Sequence, residues 1–180
     1  LARLSGLDPS SLPPVSGSPR LGCPLACVPN LVCIGLNYAD HARETNSPIP
    51  EEPIVFMKHT GCIVGPNDQV RIPRGSTKTD WEVELGAVIG RTAKYVEAKN
   101  AQDYVFGYTV SIDVSDRGGR PPGGYGSGSD WFVGKGHETF APMGPWLVTK
   151  VEIPDPMNLR IRTLVNGEVC REGNTREMVH

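Results

Sequence analysis

Residues 80–89 read Asp80-Trp81-Glu82-Val83-Glu84-Leu85-Gly86-Ala87-Val88-Ile89. Side chains on an extended chain alternate between two faces. Val83, Leu85 and Ala87 therefore share a face with Trp81, and Glu82, Glu84 and Val88 share the other. Residues 105–115 repeat the alternation: Phe106, Tyr108, Val110, Ile112 and Val114 form an apolar face, and Gly107, Thr109, Ser111, Asp113 and Ser115 a small, polar one. These two strands set the fold class, and the flanking sequence agrees with them. Leu31 to Leu36 is a short apolar run ending in Gly and Asn, read as a buried strand, and Ile54 to Met57 is another. Leu159 to Val169 carries Asn166-Gly167 between apolar runs, a hairpin signal. Helical segments are short. Asn37 is placed to cap a helix that must end before Pro48, and a turn or two fits between Glu97 and Asp103. Residues 118–130 are glycine-rich and read as a flexible loop. The expectation is a mainly β domain with short helices over residues 20–180, preceded by an arm or linker over residues 1–19.

Composition agrees with that pattern and removes several function classes. The chain has 180 residues, of which 21 are Gly and 17 Pro, and both types break helices. A net charge of -2 argues against a basic nucleic-acid binder. No apolar run approaches the length needed to span a membrane. Cys23, Cys27, Cys33, Cys62 and Cys170 are odd in number and lack zinc-ribbon spacing, so they read as free thiols in a reducing, cytoplasmic setting. Leu1 is not a start methionine, so an organelle transit peptide stays open, and the chain stops after a polar turn at Glu177-Met178-Val179-His180. A fragment, cut at both ends, is expected.

Three constellations carry chemistry. Glu82 and Glu84 leave the same face of a strand, and Asp113 lies on the polar face of another. Close carboxylates repel unless they share a proton or a cation, and an all-oxygen set suits Mg²⁺, Mn²⁺ or Ca²⁺. From spacing alone, an exposed edge with solvated glutamates is the plainer reading. His41 and Glu44 are neighbours on one helix face, the arrangement in which a carboxylate orients a histidine base. Taken alone, an ordinary helical pair is the plainer reading. Lys135 stands between Gly134 and Gly136, unshielded and able to hold a carboxylate or an oxyanion. Arg117 and Arg120 bracket two glycines and suit an anionic substrate. His59 and His137 read as structural. The glycine-rich stretch lacks both common nucleotide-loop arrangements.

The order of these pieces is itself informative. Gly35-Leu36-Asn37-Tyr38-x-x-His41-x-x-Glu44 comes first, then Asp80-Trp81-Glu82-Val83-Glu84-Leu85 with Val88-Ile89-Gly90. Gly107-Tyr108-Thr109, Asp113-Val114-Ser115-x-Arg117 and Gly134-Lys135 follow. Thr139-Phe140-x-Pro142-x-Gly144-Pro145-Trp146, Val165-Asn166-Gly167-Glu168 and Gly173-Asn174-Thr175-x-x-Met178 complete the series. The whole resembles the fumarylacetoacetate hydrolase family over roughly residues 20–180.

The resemblance implies a mixed β-roll whose mouth holds one divalent ion, Mg²⁺ or Mn²⁺. It implies Glu82, Glu84 and Asp113 as metal ligands, His41 and Glu44 as the dyad that activates water or moves a proton, and Lys135 as support for developing charge. Arg117 is implied to contact a substrate carboxylate, and Arg120 beside it and Tyr38 are further candidate substrate contacts. The expected reaction is hydrolysis of a C–C bond in a small β-diketo acid, of the acylpyruvate or fumarylacetoacetate type, through a metal-bound enolate. An isomerase, decarboxylase or lyase on a related keto or hydroxy-diene acid is the alternative, and an inactive fragment the second. A homodimer is expected, with neither nucleic acid nor membrane as partner. Gly118-Gly119-Arg120 replaces the acidic residue and glutamine of many members, Glu138 stands where Asp is common, and Arg171 where Gln is common. The family continues into a Gly-Asp…Thr-Gly-Thr-Pro segment that these residues do not include.

Overall fold

The structure, a computed structural model, describes residues 6–117 and 130–180. In chain order the elements are β1 (Leu31–Gly35), α1 (Ala39–Glu44), β2 (Ile54–Lys58), β3 (Ile63–Val64), β4 (Thr79–Asp80), β5 (Val83–Ile89), β6 (Val105–Ile112), β7 (Ser115–Asp116), α2 (Trp131–Lys135), β8 (Ala141–Pro142), β9 (Val148–Thr149), β10 (Arg160–Val165) and β11 (Glu168–Asn174). Short 3-10 turns fill several of the gaps, including Ala98–Asp103 where a helical turn was expected. The mainly β expectation holds. No described helix is long and apolar enough to cross a membrane.

The central sheet is β5–β6–β9, all antiparallel, with Glu84 opposite Ser111 and Val83 opposite Ile112. β1 pairs with β2, β4 with β7 and β10 with β11, all antiparallel, and β3 runs parallel to β8. The packed centre is small: Cys62, Val114, Phe140 and Ala141 are buried, with Leu31, Ile63 and Ile112 against them.

Two sequence expectations are corrected. Asn37 does not cap α1. Tyr38 occupies the cap position without a side-chain bond, and the Asn37 carboxamide instead accepts from the His180 amide at 2.9 Å. A long-range partner has taken the group that local chemistry would have used. β1 is also not a buried strand, since Val32 is 55% and Ile34 43% exposed and only its other face is covered. The small, polar face of β6 packs inward. Gly107, Thr109 and Asp113 are buried while Val110 is 52% exposed. Small side chains let neighbours approach: a Cβ on Gly107 would lie 2.2 Å from the Val148 carbonyl oxygen, and the Thr109 hydroxyl donates to the Trp146 carbonyl at 2.7 Å. The expected glycine-rich loop over 118–130 lies almost wholly outside the described residues, Asp130 excepted.

Candidate active site

β5 and β6 bring the carboxylates together. Glu84 is the second residue of β5, and Glu82 stands just before that strand. The pairing nevertheless reaches Glu82, whose carbonyl accepts the Asp113 amide at 2.8 Å. Asp113 follows β6 and is buried. The two runs that decided the fold thus meet at their acidic ends.

Lys135 is placed there by α2. The Asp130 carboxylate caps this helix by accepting the Val133 amide at 3.0 Å. Trp131 docks edge-on against Phe56 of β2, with ring centroids 4.9 Å apart. A Cβ on Gly35 would fall 2.3 Å from the Trp131 ring, so β1 needs glycine at this point for α2 to seat. The Lys135 ammonium then reaches the Glu82 Oε2 and Asp113 Oδ2 atoms, each at 2.6 Å. Burial works against this cation, but Asp113 and Glu82 outweigh it, and its pKa stands above the ordinary lysine value.

A second lysine was not singled out from the sequence. Lys58 ends β2, is 2% exposed, and donates to Asp113 Oδ1 and, at 3.1 Å, to the Val114 carbonyl. The signal was present. Lys58 shares a face with Phe56 on a strand otherwise apolar, so alternation turns a charged residue inward. A lysine in such a position is rarely buried without a paired anion.

Arg117 donates to Glu82 Oε1 and, through Nε at 2.8 Å, to Asp80 Oδ2. Its candidate role as a substrate contact is therefore joined to a present role in holding Glu82. Arg120 lies outside the described residues. Glu84 experiences the crowding most. Burial first, then the charges of Glu82 and Asp113, push its carboxyl up to about 7. Tyr38 adjoins the same charge: burial, Glu84 and Asp40 raise its phenol to about 12, so it stays a donor at neutral pH. Cys33 of β1 is also raised to about 12, by burial and then Asp113, partly offset by Lys58 and Lys135.

The dyad is half assembled. His41 Nδ1 and Glu44 Oε2 are 3.9 Å apart on the exposed face of α1, too far for a hydrogen bond. Glu44 is instead paired with Arg171 of β11. His59 caps the turn Thr60–Cys62 through Nδ1, and His137 packs edge-on against Phe140, as expected of structural histidines.

Among the described residues, no three His, Cys, Asp or Glu side chains are gathered as a metal shell. The Lys135 ammonium instead bridges Glu82 and Asp113. The donor chemistry still fits a divalent cation: Glu82, Glu84 and Asp113 offer only hard oxygen ligands, Glu82 and Asp113 share the Lys135 ammonium, and the charges of both bear on Glu84.

Residues 30–180 match the family described as fumarylacetoacetate (FAA) hydrolase C-terminal. A Burkholderia lata protein provisionally named a hydrolase is 52% identical over 179 residues, covering 99% of this chain and 62% of that protein. The chain thus spans under two thirds of the length of the curated relatives it matches. The crystal structure of 5-carboxymethyl-2-hydroxymuconate delta-isomerase from Mycobacterium smegmatis superposes with a TM-score of 0.75 at 38% identity, covering 89% of this chain and 61% of that one. Maleylpyruvate hydrolase from Sphingobium sp. SYK-6 gives a TM-score of 0.71 at 29% identity, covering 88% of this chain and 53% of that one. With its carboxylate-bearing strands and its resemblance both to a hydrolase and to an isomerase, the chain belongs to the fumarylacetoacetate hydrolase family of enzymes.

Proposed function

We propose that this chain carries the catalytic site of a metal-dependent hydrolase that cleaves a C–C bond in a small β-diketo acid. The observation that carries the reading is the charge cluster in which Lys135 bridges Glu82 and Asp113 while both carboxylates bear on the buried Glu84. In this reading those three carboxylates hold Mg²⁺ or Mn²⁺, with Ca²⁺ also suited to the donor set. When bound, the divalent ion supplies Lewis-acid stabilisation to the keto and carboxylate oxygens of the substrate.

The chain's own residues do the rest. His41 takes a proton from water, and Glu44 orients its ring once released from Arg171. Such a base contributes about 10²–10⁴-fold in rate. Lys135 supports the developing oxyanion or carbanion. Arg117 and Arg120 receive a substrate carboxylate, with the Tyr38 phenol as a further donor.

The second reading is an isomerase. It is supported by the similarity to 5-carboxymethyl-2-hydroxymuconate delta-isomerase, in a site where the His41–Glu44 pair would move a proton within the substrate and leave water unused. Product analysis on acylpyruvates against unsaturated hydroxy-dioates separates the two. The active protein is proposed as a cytoplasmic homodimer, which analytical ultracentrifugation tests.

The metal reading has a direct test in the full-length protein. Glu82→Ala and Glu84→Ala each abolish metal-dependent turnover, while His41→Ala leaves metal binding intact. Full Mg²⁺ affinity by calorimetry in the double glutamate variant would sink the assignment.

A further inference from the structure

Asp113 is held by two lysines, and the two grips differ. Lys58 donates to Oδ1 and also to the Val114 carbonyl, and its side chain is 1% exposed. If it left, a buried carbonyl would lose its donor and the ammonium would have no route to water. Lys135 holds Oδ2 and Glu82 Oε2. Both of its carboxylate partners are proposed metal ligands. Its side chain is 11% exposed, and it is the last residue of α2, followed by Gly136. The Phe56 ring, with its centroid 5.3 Å from Nζ, is a further surface on which the ammonium can rest.

A divalent ion held by Glu82 and Asp113 would compete with Lys135 for the same two carboxylates. An ammonium and a divalent ion crowded onto one pair of carboxylates repel each other. The geometry points to Lys135 as an exchangeable counter-ion that occupies the cation position and is turned out toward the substrate when a divalent ion binds. Lys58 stays and keeps Asp113 aimed. Loading the metal and delivering the lysine to the substrate then become one event, and cation binding precedes productive binding of the acid. This inference rests on the metal reading above.

The experiment measures Mn²⁺ affinity by titration calorimetry or electron paramagnetic resonance, without substrate, on the full-length protein. Wild type, Lys135→Met and Lys135→Arg are compared, with folding checked by circular dichroism. Lys135→Met is expected to bind Mn²⁺ about tenfold more tightly than wild type, equivalent to ~1.4 kcal/mol. Lys135→Arg stays near wild type because it restores the competing cation. A crystal structure of wild type with Mn²⁺ is expected to show Nζ withdrawn from at least one of the two carboxylates. That structure decides the matter if the Met variant fails to fold. Unchanged or weaker affinity in folded Lys135→Met, or Mn²⁺ bound with Lys135 still bridging Glu82 and Asp113, overturns the exchange and leaves the metal reading standing. Absence of Mn²⁺ binding by wild type overturns both.

Discussion

A glutamate carboxyl with an ordinary value of 4.5 is raised to about 7 at Glu84, first by burial and then by Glu82 and Asp113. The consequence for stability has a definite sign. Between about pH 4.5 and about pH 7 the folded chain retains a proton that the unfolded chain has lost. Stability of the metal-free protein therefore falls as pH rises through that window. Glu84→Gln, which cannot ionise, is expected to flatten the slope, measured by urea unfolding in EDTA across the window. The Glu82-x-Glu84 spacing was legible in the sequence, but spacing alone favoured a solvated edge. What sets the pair apart is the burial of Glu84 and the cations Lys135 and Arg117 that hold Glu82, and these come from elements remote in sequence. Arg171 shows the same limit. The sequence marked it only as a departure from the usual glutamine, and its pairing with Glu44 depends on β11 folding back onto α1.

Among the elements, the hairpin β10–β11 was the most transparent. Asn166 has φ 52° and Gly167 φ 88°, the left-handed pair that a tight hairpin turn requires. A Cβ on Gly167 would meet nothing within 4 Å, so only backbone strain opposes a side chain there. Gly167→Val is expected to lower stability by about 1 kcal/mol, read from a thermal melt. Turn chemistry is local, and so the sequence disclosed it. The start of α1 was less transparent, because a local capping rule competed with a partner 143 residues away and lost. The inward packing of Gly107 and Thr109 on β6 is likewise a long-range matter, because β9 approaches closely there and needs small residues.

Across the whole molecule, the site depends on a buried charge network that joins β2, β5, α2 and the segment after β6. Lys58→Met would leave Asp113 short of a buried counter-charge and is expected to cost about 3–5 kcal/mol of stability, measured by chemical denaturation. Adding Asp113→Leu should restore much of the loss while eliminating metal binding, because removing both charges also removes their desolvation cost. The sequence by itself determined the β character, the hairpin and the family, and it marked Glu82, Glu84 and Asp113 as candidates, since alternation, turn residues and motif order are properties of the chain read in line. Tertiary structure alone decided that the anion facing Lys58 is Asp113, that Lys135 bridges Glu82 and Asp113, and that Glu44 faces Arg171. Those outcomes depend on which charges share a low-dielectric space, and that is set by how strands pack rather than by how residues are spaced.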